Sequence, residues 1–370
     1  MIEILAFIIF IAIVVAFIIK DRKNITLSGI VFMRKTYRGK AFLDKSAKRA
    51  PRLWAFIAVA AAVVGIGAMI FTSYFVLNCT YGLSTGQGSC FKLVLPGPSS
   101  SPQGVPGVPF EKSPALFLPW YFWVIGIATV MIPHEFFHGI ICRLKGIRIK
   151  YLGWILLLFL PGAFVEPDKK QLDNSSRLTK IKVYSAGSFA NLLMASLFLI
   201  LYLVASTAFI APGTQFQLTT GHNYPAESVN LSGTMLSING TSVGSYYDIG
   251  PVLEKLPVGS NITVVTTNGE YKLATIQHPD LNYSRSFIGI EPWEPAPVQF
   301  FIMQLFFWIF AINLGVGLFN LLPLKPLDGG LVFEEIIGKF TRHARKITIV
   351  MSIIFGALII INIIGPIFIG

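Results

Sequence analysis

Charge is what this sequence has least of. Asp, Glu, Lys and Arg make up 13% of its 370 residues, about half of what a soluble domain carries, while hydrophobic residues reach 54% and the mean hydropathy is +0.66. That scarcity excludes a chain kept in solution by a charged surface, and together with 31 Phe it excludes a disordered or coiled-coil chain. Cysteine is scarcer still; three are too few for a disulfide-built scaffold. Acidic side chains number 18 against 30 basic ones, and the net charge of +12 invites a nucleic-acid reading. No basic face carries interleaved aromatics on which bases would stack, so no nucleic-acid partner is expected. Long apolar runs stand where the charge is missing, and they place the chain in a membrane.

A helix crosses the roughly 30 Å of bilayer hydrocarbon with about 20 mostly apolar residues. Six stretches qualify, near 2–19, 53–77, 118–142, 182–211, 297–322 and 347–369. A seventh run, Tyr151 to Val165, is short, is broken by Pro161 and Gly162, and leads into Glu166 and Asp168. A re-entrant hairpin packed on protein is expected there, with a spanning helix as the rival reading. The basic residues orient the spans. Lys20 to Arg52 holds 11 of them, Arg143 to Lys150 holds 4, and Lys169 to Lys182 and Lys325 to Lys346 hold 5 each; Lys92, Lys112, Lys255, Lys272 and Arg285 are the remainder. Basic residues mark the cytoplasmic side, so both termini and the long loops 78–117 and 212–296 are expected outside a cell membrane that the chain crosses several times. The first run opens Met-Ile-Glu without positive charge, and Lys20, Asp21, Arg22 and Lys23 stand where small cleavage-site residues would be, so it reads as a retained anchor.

The first outside loop carries Cys79 and Cys90, expected to be bridged on the oxidising side, and then turns rich in Pro, Gly and Ser from Pro96 to Pro109. The second has strand-like runs at 233–239, 261–267, 271–276 and 287–290, Asn-Gly pairs at 239–240 and 268–269, and an amphipathic stretch at 245–256. Leu236-Ser-Ile-Asn-Gly-Thr-Ser-Val243, followed by a short helix and a hairpin, resembles a PDZ domain, which implies a groove for an extended peptide. A β-rich spacer without ligand is the alternative. Sequons at Asn78, Asn230, Asn239, Asn261 and Asn282 fall in these outside loops, whereas those at Asn24 and Asn174 fall inside.

The strongest chemical signal is His134-Glu135-Phe136-Phe137-His138, near the end of the third span. Residues i and i+4 share a helix face, so both imidazoles can hold one Zn²⁺ while Glu135 reaches a water on that metal. Glu and His inside a span are costly unless they bind, pair or line a cavity. Pro133 removes a backbone donor and frees the carbonyl of Thr129, which predicts a kink here. A hydrolytic zinc takes three protein ligands and keeps a fourth position for water. Cys142 shares the helical face but lies about 12 Å along the axis from His134, too far to converge, and is expected to be a buried filler. Asp328, in Asn320-Leu-Leu-Pro-Leu-Lys-Pro-Leu-Asp-Gly-Gly330, is the expected third ligand, with Gly329 and Gly330 letting backbone press close to the metal.

His134 to His138 and Leu327-Asp-Gly329, on separate spans with Ala186-Gly-Ser-Phe-Ala-Asn-Leu-Leu193 between them, resemble the site-2 protease family of intramembrane zinc metalloproteases. The likeness covers about residues 118–330. It implies one Zn²⁺ per chain on His134, His138 and Asp328, catalysis by Glu135, a part for Asn191 in holding substrate or polarising its carbonyl, and a membrane-dipping hairpin over 147–165 that pairs with unwound substrate. For Asn191 a simple hydrogen bond between helices is the alternative. The fold expected is thus a polytopic α-helical membrane protein of about six spans with a re-entrant β-hairpin and a small inserted α+β PDZ-like domain. Its parts would be 1–117, two spans and a Cys-containing loop; 118–211, the first half of the protease core; 212–296, the inserted domain; 297–330, the Leu-Asp-Gly helix; and 331–370, a cytoplasmic loop and last span. The expected function is cleavage of single-span membrane proteins within the lipid bilayer, after a first cut by another protease. A zinc transporter, or a non-catalytic receptor with a peptide-binding outside domain, is the alternative from another class.

Overall fold

The computed structural model describes the chain apart from residues 1, 22–24, 29–30, 38, 87–89, 99–101, 106–111, 158–159, 210–214, 245, 280–282, 293–296 and 369–370. It divides into two compact units, Met1–Leu199 with Phe306–Gly370, and Ile200–Leu305. In chain order the elements are α1 (Ile2–Lys20), β1 (Ile25–Ser28), β2 (Val31–Thr36), α2 (Lys40–Arg49), α3 (Pro51–Ser84), β3 (Leu93–Gly97), β4 (Ala115–Pro119), α4 (Trp120–Leu144), β5 (Ile149–Leu157), β6 (Leu160–Pro167), α5 (Lys169–Asp173) and α6 (Arg177–Phe209). There follow β7 (Phe216–Leu218), α7 (Pro225–Ser228), β8 (Met235–Ile238), β9 (Thr241–Ser242), α8 (Tyr246–Glu254), β10 (Asn261–Thr266), β11 (Gly269–Ala274), β12 (Ile276–Gln277), β13 (Ser286–Phe287) and β14 (Ile290–Pro292). The chain closes with α9 (Pro297–Phe319), α10 (Asp328–Ile337) and α11 (Ala344–Phe368).

Among the described residues, five helices are long and apolar enough to cross a membrane: α3, α4, α6, α9 and α11. The sixth expected span is also helical, as α1, nineteen residues apolar but for Glu3 and Lys20. The five are apolar on their outer faces too: Phe56 is 71% exposed, Val63 66% and Ile353 67%. A helix apolar all round is one that lipid surrounds. Two buried asparagines inside the unit are paired between helices. Asn313 Nδ2 donates to Thr129 Oγ1 at 2.9 Å and Asn362 Nδ2 to Thr80 Oγ1 at 2.6 Å, contacts that tie spans together where apolar packing alone does not discriminate them from lipid. Helix α4 runs through Pro133 without interruption. Cys79 and Cys90 are joined by a disulfide, and Cys142 is a free, buried thiol at 1% exposure that fills the core with Ile140, Ile141 and Val183.

The run 151–165 is not a helix. It forms most of an antiparallel hairpin in which β5 pairs with β6 from Ile149↔Pro167 to Leu157↔Leu160. Pro161 and Pro167 are tolerated because β6 is an edge strand, where a missing N–H breaks no ladder. Gly153 lets two neighbours close in, since a Cβ there would meet the Arg34 carbonyl and sit 2.5 Å from the Phe164 ring. Residues 25–28 and 31–36, read from the sequence only as part of a basic loop, are strands. β1 and β2 extend the hairpin into a sheet of order β1-β2-β5-β6, with β2 registered on β5 from Val31↔Leu157 to Thr36↔Leu152. Helix α2 follows, starting on Gly39 in the left-handed region at φ 93°, and inserts the fully buried Leu43 against Gly139 of α4.

The second unit is a small α+β body. Its sheet has order β11-β10-β8-β9, with the pairs β12–β13 and β14–β7 beside it, around a core that includes Met235, Ile238, Ile262, Val264 and Ile288. Three of the four expected strand runs are found, as β8, β10 and β11, and the amphipathic stretch holds α8, whereas the expected run 287–290 is split, with Phe287 ending β13, Ile290 opening β14 and 288–289 outside a strand. Asn239-Gly240, both at positive φ (48° and 77°), form the two-residue turn between β8 and β9. Glu227 on α7 closes a loop. The Gly221 N–H donates to its Oε1 at 2.9 Å and, with the N–H groups of Asn223, His222 and Tyr224 further off, holds this carboxyl below its ordinary range. A depressed carboxylate pKa contributes stability that is present above the unfolded value and lost as pH falls through the folded one. The protection factor of the Gly221 amide, its exchange rate relative to that of an unprotected amide at the same pH, is therefore expected to fall on acidification below the ordinary glutamate range, and Glu227→Gln should remove that fall.

Candidate metal centre

Helix α4 brings His134 and His138 to one face, one turn apart, and Asp328, the first residue of α10, meets them. His134, His138 and Asp328 form the one group of three potential metal-ligating residues among the described residues, with ligand atoms all within 4.8 Å of one another. His134 Nε2 and His138 Nε2 are 3.1 Å apart, and Asp328 Oδ2 is 3.3 Å from each. A tetrahedral zinc with ligands at about 2.0–2.1 Å requires ligand-to-ligand edges of about 3.3 Å, so the triangle has the size of one face of a zinc tetrahedron.

Each member is held from behind. The Nδ1–H of His138 donates to the Val183 carbonyl at 2.7 Å, which fixes the tautomer and leaves the Nε2 lone pair facing the triangle. Asn191 of α6 has its carboxamide 3.1 Å from His134 Nδ1. With Nε2 turned to the triangle, Nδ1 carries the proton, so the amide oxygen must be the accepting end; a half-turn of the carboxamide puts it there. Ser188, fully buried, donates to Asp328 Oδ2 at 3.1 Å. Glu135 does not belong to the triangle: its Oε2 accepts the Val165 N–H of the edge strand β6 at 2.7 Å.

Helix α6 can lie this close because of Gly187. A Cβ there would sit 2.6 Å from His134 Nε2 and in direct collision with His138 Nε2. Neither Gly187 nor Ser188 was singled out from the sequence, although both lie in the small-residue stretch 186–193 that signals close helix approach. The glycines after Asp328 act differently from expectation. A Cβ on Gly329 would strike the carbonyls of Leu321 and Leu322, and one on Gly330 would sit 2.6 Å from the Leu324 carbonyl carbon, so they press against the chain's own 321–325 turn and not against the metal site. That packing sets the angle at which Asp328 leaves the turn, helped by the Gly329 N–H donating to the Asn320 carbonyl at 2.7 Å.

The model of peptidase family M50 matches residues 122–361, about two thirds of the chain, and the match spans His134, Glu135, His138 and Asp328. An uncharacterized protein of Methanocaldococcus jannaschii is 25% identical over 318 residues, covering 85% of this chain and 80% of that relative.

Proposed function

The chain belongs to peptidase family M50, the site-2 protease family, and from that premise we propose that it is an intramembrane zinc metalloprotease acting on single-span membrane proteins. The observation that carries this reading is the His134–His138–Asp328 triangle, sized for zinc, with a carboxylate next to it in sequence on a helix apolar enough to span. His134, His138 and Asp328 would hold the zinc, which would supply Lewis acidity and activate a water for attack. The residues of the chain do the rest. Glu135, anchored through Oε2 by the Val165 N–H, keeps its other oxygen for the water's proton and passes that proton to the leaving amine. The amide end of Asn191 not engaged by His134 is a buried donor suited to a developing oxyanion.

A helical substrate hides its scissile carbonyl in its own hydrogen bonds, and β6 has an outward edge to which an unwound segment can add as a strand. The hairpin is on this reading the re-entrant element. In the second unit, a cavity of about 340 Å³ beside α8 and β13, lined by Ile249, Leu253, Phe287 and Arg285, favours a PDZ-like peptide groove over an inert spacer. The distribution of basic residues supports reading this unit as extracytoplasmic, where it would exclude substrates with bulky ectodomains and so impose a prior cut.

Reconstituted protein should cleave single-span substrates, lose that activity to a zinc chelator such as 1,10-phenanthroline, and regain it on adding zinc. Cleavage that persists after metal analysis shows the zinc removed would sink the proposal.

A further inference from the structure

We propose that the cavity where α6, α10 and α11 come together binds the phosphate of an anionic lipid headgroup. The cavity measures about 510 Å³ and is lined by five cationic side chains against two carboxylates. Arg177 and Lys180 come from the first turn of α6, Lys339 and Arg342 from the turn after α10, and Arg345 from the start of α11. Both carboxylates are already engaged. Glu335 takes Lys180 Nζ at 3.1 Å, and Glu334 pairs with Lys325. Arg177, Lys339, Arg342 and Arg345 have no carboxylate within ion-pair distance among the described residues, and Arg177 lies over Gly338, where a Cβ would be 3.6 Å from its guanidinium carbon.

Orientation by positive charge accounts for basic residues on this side of the chain, but not for their convergence on one hollow between three helices. Unpaired guanidinium groups around a concavity match a phosphate, whose oxygens accept paired N–H donors. A lipid is the indicated source because α6 and α11 are both long enough to span and both begin here, which puts the cavity at headgroup depth. Phe340, 76% exposed and 5.8 Å from Lys339 Nζ, supplies an apolar ring at the rim, as an acyl–glycerol boundary favours and a free phosphate ion does not. The occupied site would brace the metal centre. Helix α10 begins at Asp328, α6 runs from Arg177 to Gly187, Ser188 and Asn191, and the Lys180–Glu335 pair joins the two helices beside the cavity.

The test is thermal unfolding of the full chain in neutral detergent at fixed ionic strength. Short-chain phosphatidylglycerol, short-chain phosphatidylcholine and inorganic phosphate would be added in separate series. Phosphatidylglycerol should raise Tm by about 2–4 °C while the other two leave it unchanged. The rise should vanish in Arg342→Gln/Arg345→Gln, both exposed positions, and persist in the equal-charge control Lys169→Gln/Lys170→Gln on α5. Absence of any rise in wild type overturns the proposal, and so does an equal rise in both double variants, which would mean general surface attraction. An equal, Arg342/Arg345-dependent rise with inorganic phosphate overturns the lipid assignment.

Discussion

Replacing Asp328 with Ala is expected to empty the metal centre. Zinc per chain should fall from about one to near zero, and proteolysis with it, because a hydrolytic zinc held by three protein side chains would be left with two imidazoles on one helix. The fold should survive, since the Gly329 N–H to Asn320 carbonyl bond and the packing of Gly329 and Gly330 on the 321–325 turn are backbone features that the substitution leaves in place. Metal analysis beside a thermal melt separates the two effects. Zinc retained at about one per chain would show that Asp328 is not a ligand.

Gly187→Ala should be nearly as severe, although Gly187 offers no ligand atom. The added methyl falls 2.6 Å from His134 Nε2 and on top of His138 Nε2, so either the imidazoles turn or α6 withdraws, taking Asn191, Ser188 and the Val183 carbonyl with it. Losing such supports costs about 10–100-fold in metal affinity. Gly67→Ala on α3 is the matched control. Nothing lies within 4 Å of a Cβ there, and Ala is preferred over Gly in a helix interior by about 0.5–1 kcal/mol, so that variant should be slightly more stable with its zinc intact. Equal zinc affinity in Gly187→Ala and wild type would refute the close-approach account.

How much could be read from the residues differs sharply between elements. His134 and His138 were legible because a spacing of four on a helix is a geometric statement needing no partner. The Asn239-Gly240 turn was legible for a similar reason: positive φ at two successive residues is a local demand that this pair meets. Pro161 and Gly162 marked the hairpin by excluding a continuous span. Strands β1 and β2 were hidden among basic residues, since β2 finds its ladder partner in β5, more than 100 residues away, and β1 pairs only with β2. Gly187 was hidden for the same reason: a glycine in an apolar helix means nothing until the helix that touches it is known. Gly329 and Gly330 were noticed, but the sequence could not tell an approach to the metal from an approach to the chain's own turn.

The most direct test of the central claim is Glu135→Gln. Its zinc content should match wild type at about one per chain, because Glu135 stands outside the triangle with its carboxylate on the Val165 N–H. Cleavage of a panel of detergent-solubilised single-span substrates, cut by wild type within the span, should fall by about 10²–10⁴-fold, the contribution of a positioned acid–base group. Equal cleavage by the variant would contradict the role given to Glu135. Zinc flux into proteoliposomes by both proteins, with cleavage by neither, would replace the protease with a transporter.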